Sequence, residues 1–201
     1  MRDFHQPGRS AVFAQNGMCA TSHPTASQVA VDILKRGGNA MDAAIAGALV
    51  LGICEPQMTG IGGDCFVLMS PAGSNDVLAM NGSGHAPRAA DAAALRKDGH
   101  SVIPPKGTHS VTIPTAIDAF CQMSEKWGKI GLDALLAHAI HYAEEGIPVA
   151  PRVASDWASS VENLQGHGKS HFLKNGSAFK TGDVFRAPGQ AEVLKRVAKD
   201  G

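Results

Sequence analysis

Residues 20–69 read ATSHPTASQVAVDILKRGGNAMDAAIAGALVLGICEPQMTGIGGDCFVLM, and the order of signals in this stretch decides the fold class. Ser22 and Pro24 suit a helix start, and Ala26, Ala30, Ile33 and Leu34 then recur at helical spacing. Lys35 and Arg36 fall in the last turn, where cations meet the negative end of the dipole, and Gly37 is a natural stop. The spacing predicts a helix to about Arg36. Asn39 then caps a second helix with Asp42 three residues on, and Glu55-Pro56 ends it. Ala43, Ala44, Ala46, Gly47 and Ala48 carry so little bulk that this helix is expected buried and lying close on a sheet. After the turn-rich Thr59 to Gly63, Cys65–Met69 reads as a buried strand, residues 71–75 as a turn and residues 76–80 as a second strand, together a hairpin.

Outward from this stretch, residues 17–21 read as a short strand and residues 108–113 as another. Helices are expected over residues 115–127, 132–145, 152–164 and 190–199, with Gly128 and Gly146 as stops and a loop over residues 166–182. No repeat, coiled coil or low-complexity segment interrupts the chain. Helices before and after a central hairpin give an α+β class with helices layered on sheet.

A 201-residue chain with 44% hydrophobic residues can bury a core. Lys plus Arg and Asp plus Glu are 18 each, so no long-range field attracts a polyanion, and nucleic acid is not an expected partner. The most apolar run, residues 43–54, is too short to span a bilayer. Near the N-terminus, Gln6, Pro7, Gly8, Arg9 and Ser10 interrupt what a secretory signal would need to be continuously apolar, which leads to a cytoplasmic rather than periplasmic expectation. Cys19, Cys54, Cys65 and Cys121 form no Cys-x-x-Cys pair and read as free, small hydrophobes.

The residues alone offer no catalytic centre. Gly60, Gly62 and Gly63 precede a strand rather than open a helix, and no Lys-Ser or Lys-Thr follows, so they read as a turn allowing close backbone approach and not as a phosphate cradle. His138 with His141, and His167 with His171, lack a third ligand at a recognisable spacing, and neither a metal nor a cofactor is expected. Ser83 in Asn81-Gly82-Ser83-Gly84 lacks the first glycine of a nucleophile elbow, and no cysteine sits in a pattern that activates a thiolate.

The quoted stretch resembles the opening of the gamma-glutamyltransferase family. The His-Pro pair, the Gly-Gly-Asn-Ala-x-Asp-Ala-Ala run, the Glu-Pro pair and the Gly-Ile-Gly-Gly before a strand occur in the family's order. Weaker likeness continues through Ala86-Pro87, through residues 110–120, where Pro114-Thr115 stands in place of the family's Pro-Gly, and through residues 182–201. The resemblance implies a four-layer αββα sandwich of the N-terminal-nucleophile hydrolase type, only partly present here, with residues 1–201 forming the N-terminal part of a large subunit. It also implies a precursor that cuts itself to expose a threonine on a small subunit, which is then this chain's partner. That threonine's hydroxyl attacks the amide while its own α-amine takes the proton. The chain contains no Thr-Thr pair, so the catalytic residue is expected outside it.

One departure bears on substrate. Where the family carries Arg-Glu-x-Ala-Pro, with the arginine gripping a substrate α-carboxylate, this chain has Ser83, Gly84, His85, Ala86 and Pro87. Ser83, Gly84, His85 and Arg88 are therefore the expected substrate-contacting residues, with His85 or Arg88 the available neighbouring cations. The implied activity is cleavage of gamma-glutamyl amides such as glutathione by hydrolysis or acyl transfer. The alternatives are an acylase or small-amide amidohydrolase of the same family, of the cephalosporin acylase or oxamate type, and an inactive fragment or pseudoenzyme.

Overall fold

A computed structural model describes residues 11–200; the N-terminal reading at Gln6 to Ser10 lies outside the described residues. The helices in chain order are α1 (Pro24–Lys35), α2 (Ala40–Cys54), α3 (Ala92–Lys97), α4 (Ala116–Trp127), α5 (Leu132–Glu145), α6 (Pro151–Ser160), α7 (His167–Phe172) and α8 (Pro188–Asp200). The strands are β1 (Cys65–Met69), β2 (Leu78–Gly82), β3 (Ile147–Pro148) and β4 (Val184–Phe185). Two compact units result, one from residues up to Gly60 joined by residues from Ser124 onward, the other Ile61–Met123, with the boundary inside α4.

The first unit is built around α2. His23, rather than Ser22, caps α1, its Nδ1 accepting the Thr25 N–H at 3.3 Å, and Pro24 takes the first helical position. Ala26, Val29, Ala30 and Ile33 form the buried face of α1. At α2 the capping box is complete: Asn39 Oδ1 accepts from the Asp42 N–H at 3.0 Å while Asp42 Oδ2 accepts from the Asn39 N–H at 2.8 Å. The helix is largely buried, with Ala40 and Ala44 exposed and Ala48 and Leu51 half-buried, and among the described residues it is α1 and α5 that cover it, where the small residues suggested a sheet. At Gly47 α2 faces α1, and a Cβ there would lie at ordinary contact distance, 3.6 Å from both the Ala26 carbonyl oxygen and the Ala30 Cβ.

Leu135, Leu136, Ala139 and Ala143 of α5 extend this core, and α8 closes it with Ala191 and Leu194. The β3–β4 pair, antiparallel with Ile147 opposite Phe185, sits beside an aromatic cluster in which Trp157 meets Phe179 at 4.9 Å and Phe185 at 5.0 Å between ring centroids. The indole of Trp157 donates to the Phe172 carbonyl at 2.9 Å, so its one polar atom is satisfied where it is buried. Full burial of each large apolar side chain such as Phe185 or Ile53 is worth about 1.5–3 kcal/mol.

Three further expectations change in this unit. Residues 17–21 are not a strand, because none of the described strands pairs with them and an unpaired segment has no ladder. The segment expected as loop over residues 166–182 contains α7, which follows directly on a turn at Gly166. The helix expected over residues 152–164 is α6 followed by a tight 3-10 turn at Val161–Asn163.

In the second unit β1 and β2 pair antiparallel, with Cys65 opposite Gly82 and Met69 opposite Leu78. The second strand starts two residues later than the alternation suggested, because Ser74 and Asp76 hold each other in the turn: the Asp76 N–H donates to Ser74 Oγ at 3.0 Å and Ser74 Oγ donates to Asp76 at 2.9 Å. Nor is β1 buried on both faces, since Phe66 is 70% and Leu68 79% exposed in the described chain. Residues 108–113 form a 3-10 turn at Thr108–Ser110 rather than a strand. The connection after β2 contains α3, capped by Asp91, which the sequence reading left as polar connection.

Helix and antiparallel sheet are thus mixed as an α+β chain requires, while the described residues by themselves supply two two-stranded sheets rather than four complete layers. Among the described residues no helix is long and apolar enough to cross a membrane.

Candidate functional site

The expected substrate-contacting residues all lie in the second unit, where β2 leaves the hairpin. The ladder stops at Cys65 opposite Gly82, and the next three residues are held by other means. Thr115 Oγ1 donates to the Gly82 carbonyl at 2.7 Å. The Ser83 N–H donates to Asn81 Oδ1 at 3.0 Å, and the Ser83 hydroxyl donates to the same oxygen. The Gly84 N–H donates to Asp64 Oδ1 at 3.0 Å, and the Ile113 N–H to the His85 carbonyl at 3.0 Å.

Only glycine fits at position 84. A Cβ there would overlap the carbonyl oxygen of Ile113, so the segment at residues 82–85 and that at residues 113–115 run backbone against backbone. The Thr115 and Ala116 N–H groups, at the start of α4, both donate to the Gly63 carbonyl, at 3.1 and 2.9 Å. These bonds fasten the Gly60 to Gly63 stretch, which bends before β1, to the start of α4. Crowding does not account for those glycines themselves, because a Cβ at Gly60, Gly62 or Gly63 would meet nothing nearby.

The fastening gathers Ser83, Gly84 and His85 on one short segment. His85 is exposed, and Arg88 follows on an exposed turn in which the Ala90 N–H donates to the Pro87 carbonyl at 2.9 Å. The Ser83 hydroxyl gives its proton to an amide oxygen, which is no base, so this contact does not activate it as a nucleophile. Asp64 and Asn81 are the polar residues that the sequence reading missed. Their signal was weak: each is a lone polar residue at a strand end, Asn81 reaching Ser83 from two residues away and Asp64 reaching Gly84 only across the hairpin.

The first unit carries a second polar cluster. Ser22 donates a short hydrogen bond to Glu55, which caps the C-terminus of α2 and is buried. A carboxylate at the negative end of a helix dipole is unfavourable, and the Ser22 proton offsets that. His23 beside them keeps Nε2 buried without a partner among the described residues, and burial lowers its pKa against the opposing pull of Glu55. These residues edge an open, mostly apolar cleft of about 870 Å³ that Val31 and Val153 also line.

All four cysteines are free. Burial pushes every one of their thiols up, Cys54 to about 12 with the Glu55 carboxylate adding to the effect, which is the reverse of what a thiolate nucleophile needs. His138 and His141 share α5, whereas His167 starts α7 and His171 packs on Phe172, and among the described residues no three His, Cys, Asp or Glu converge on a point.

A gamma-glutamyltranspeptidase family model matches residues 26–201. The chain belongs to the gamma-glutamyltranspeptidase family. It is 32% identical over 193 residues to a glutathione hydrolase proenzyme of Bacillus subtilis (strain 168), covering 93% of this chain and 33% of that protein. It is 34% identical over 200 residues to an oxamate amidohydrolase proenzyme of Klebsiella pneumoniae subsp. pneumoniae, covering 96% of this chain and 37% of that protein. Among solved structures, the cephalosporin acylase from Bacillus halodurans superposes with a TM-score of 0.89 at 38% identity, over 98% of this chain and 38% of that one. The chain therefore has the fold of this family's N-terminal-nucleophile hydrolases and spans about a third of the length of the curated relatives it matches.

Proposed function

We propose that this chain forms part of an amide hydrolase or acyltransferase that cleaves gamma-glutamyl amides such as glutathione. The nucleophile in this reading is a threonine not among these residues, freed by self-cleavage of a precursor whose small subunit pairs with this one. The family match over residues 26–201 carries the reading, and the relatives named proenzymes support a precursor. The residues' own contribution in this reading is the hydrogen-bonded segment at Ser83 to His85, with the exposed His85 imidazole available to the acyl end of a substrate. The threonine hydroxyl adds to the amide carbon, its α-amine takes the proton, and the acyl group passes to water or an amine.

A specific observation favours a second reading on the same fold. The Ser83 hydroxyl is turned to Asn81, and in this reading Ser83 stands where the family carries its carboxylate-binding arginine. No guanidinium stands at that position to make a bidentate pair with an α-carboxylate. An acylase or small-amide amidohydrolase fits this site, in keeping with the names of the relatives from Klebsiella pneumoniae and Bacillus halodurans.

The mass of the complete gene product on a denaturing gel, before and after incubation, tests the shared part. Two self-generated pieces, the smaller starting with threonine, are expected; a product that never cleaves removes the activity and leaves the fold. A panel of gamma-glutamyl-nitroanilide, oxamate and acyl amides then separates the two readings. Efficient turnover of the first alone eliminates the second reading.

A further inference from the structure

We propose that Asp64 is the positioning residue of the substrate-contacting segment, acting as a hydrogen-bond acceptor that fixes the course of residues 83–85 where they leave the sheet. This rests on the reading that Ser83 and His85 contact substrate.

The hairpin register pairs Cys65 with Gly82, and the same register places Asp64 opposite Ser83. At that step the backbone ladder ends and a side chain takes over, with Asp64 Oδ1 accepting the Gly84 N–H at 3.0 Å across 20 positions of sequence. The other ties on the segment come from elsewhere: Gly82 is held by Thr115, Ser83 by its neighbour Asn81 and His85 by Ile113. Asp64 is thus the side chain of β1's end that sets where Gly84 sits, and Gly84 is the residue with no room for error, because its Cα lies against the backbone of Ile113. Ser83 and His85 flank Gly84, so their side-chain directions follow from its placement. An acceptor of this length is what the position requires. Alanine offers none, whereas asparagine keeps the same oxygen without the charge.

Loosening such a segment weakens the hold on the acyl group in ground state and transition state alike, which raises KM and leaves kcat near its original value. A merely structural role would instead reduce the active fraction, lowering kcat with KM unchanged. The test uses the complete gene product as wild type, Asp64→Ala and Asp64→Asn, with steady-state kinetics on the best amide of the panel and hydrogen exchange by mass spectrometry on the peptide containing Gly84.

Asp64→Ala is expected to raise KM about tenfold with kcat within about twofold, and Asp64→Asn to bring KM back to within about threefold. Exchange at Gly84 is expected to accelerate in Asp64→Ala and not in Asp64→Asn. An unchanged KM in Asp64→Ala, a loss confined to kcat, or an Asp64→Asn variant as impaired as Asp64→Ala overturns the proposal. If the wild type turns over no amide at all, the functional reading fails separately and exchange decides the anchoring role: unchanged protection of Gly84 in Asp64→Ala overturns it.

Discussion

Asp42 holds the backbone N–H of Lys129 with both carboxylate oxygens, each at 3.1 Å, across 87 positions of sequence. The same fully buried side chain closes the capping box with Asn39, whose own amide donates to the Trp127 carbonyl at 2.7 Å. One carboxylate therefore starts α2 and ties it to the chain that leaves α4. Asp42→Ala leaves two donors without an acceptor in the core and is expected to cost about 3–5 kcal/mol of stability. Asp42→Asn, which keeps one acceptor oxygen, costs less, and urea unfolding followed by circular dichroism orders the two variants.

Gly84→Ala puts a methyl group into the Ile113 carbonyl, and neither backbone can retreat without breaking the bond between Ile113 and His85. A loss of about 2–4 kcal/mol is expected, read as a lower Tm by scanning calorimetry. A Tm equal to that of the wild type would show that the two segments are farther apart than described.

Gly47 behaves oppositely. Its Cβ would lie at ordinary contact distance from α1, and glycine in mid-helix is weaker than alanine. Gly47→Ala is expected to stabilise by about 0.5–1 kcal/mol, while Gly47→Leu overfills the α1–α2 contact and destabilises by about 1–3 kcal/mol. Thermal melts of the pair give the sign directly.

Burial lowers the pKa of both His23 and His138 from the ordinary 6.5, and at His138 the Arg36 and His141 charges add to that against Asp32. The unfolded chain thus takes up protons at a higher pH than the folded one, so this contribution to stability is complete above about pH 6.5 and is lost as the pH falls below it. A series of urea melts between pH 7.5 and about 5 should show the midpoint falling. His23→Asn, which keeps a cap on α1, together with His138→Gln should flatten the slope.

Ser83→Arg tests the substrate side. If the missing guanidinium is what distinguishes this site, installing it should raise kcat/KM for gamma-glutamyl-nitroanilide by about tenfold or more, relative to the methyl ester of its α-carboxylate. Equal effects on both compounds would mean that position 83 does not face the carboxylate.

The sequence by itself determined the local grammar of this protein. Asn39 with Asp42, Pro24 with Gly37, and Gly146 are signals that act within a few residues, and the helices they bound stand where their periodicity put them. The family, too, was legible from the quoted stretch. What only the tertiary structure decided are the relationships that span many residues. That α1 and α5 cover α2, that residues 17–21 stay unpaired among the described residues, and that Asp64 reaches the Gly84 N–H across 20 positions all depend on partners distant in sequence. A strand or a shared hydrogen bond exists only when its partner arrives, and arrival is settled by packing that no local pattern encodes.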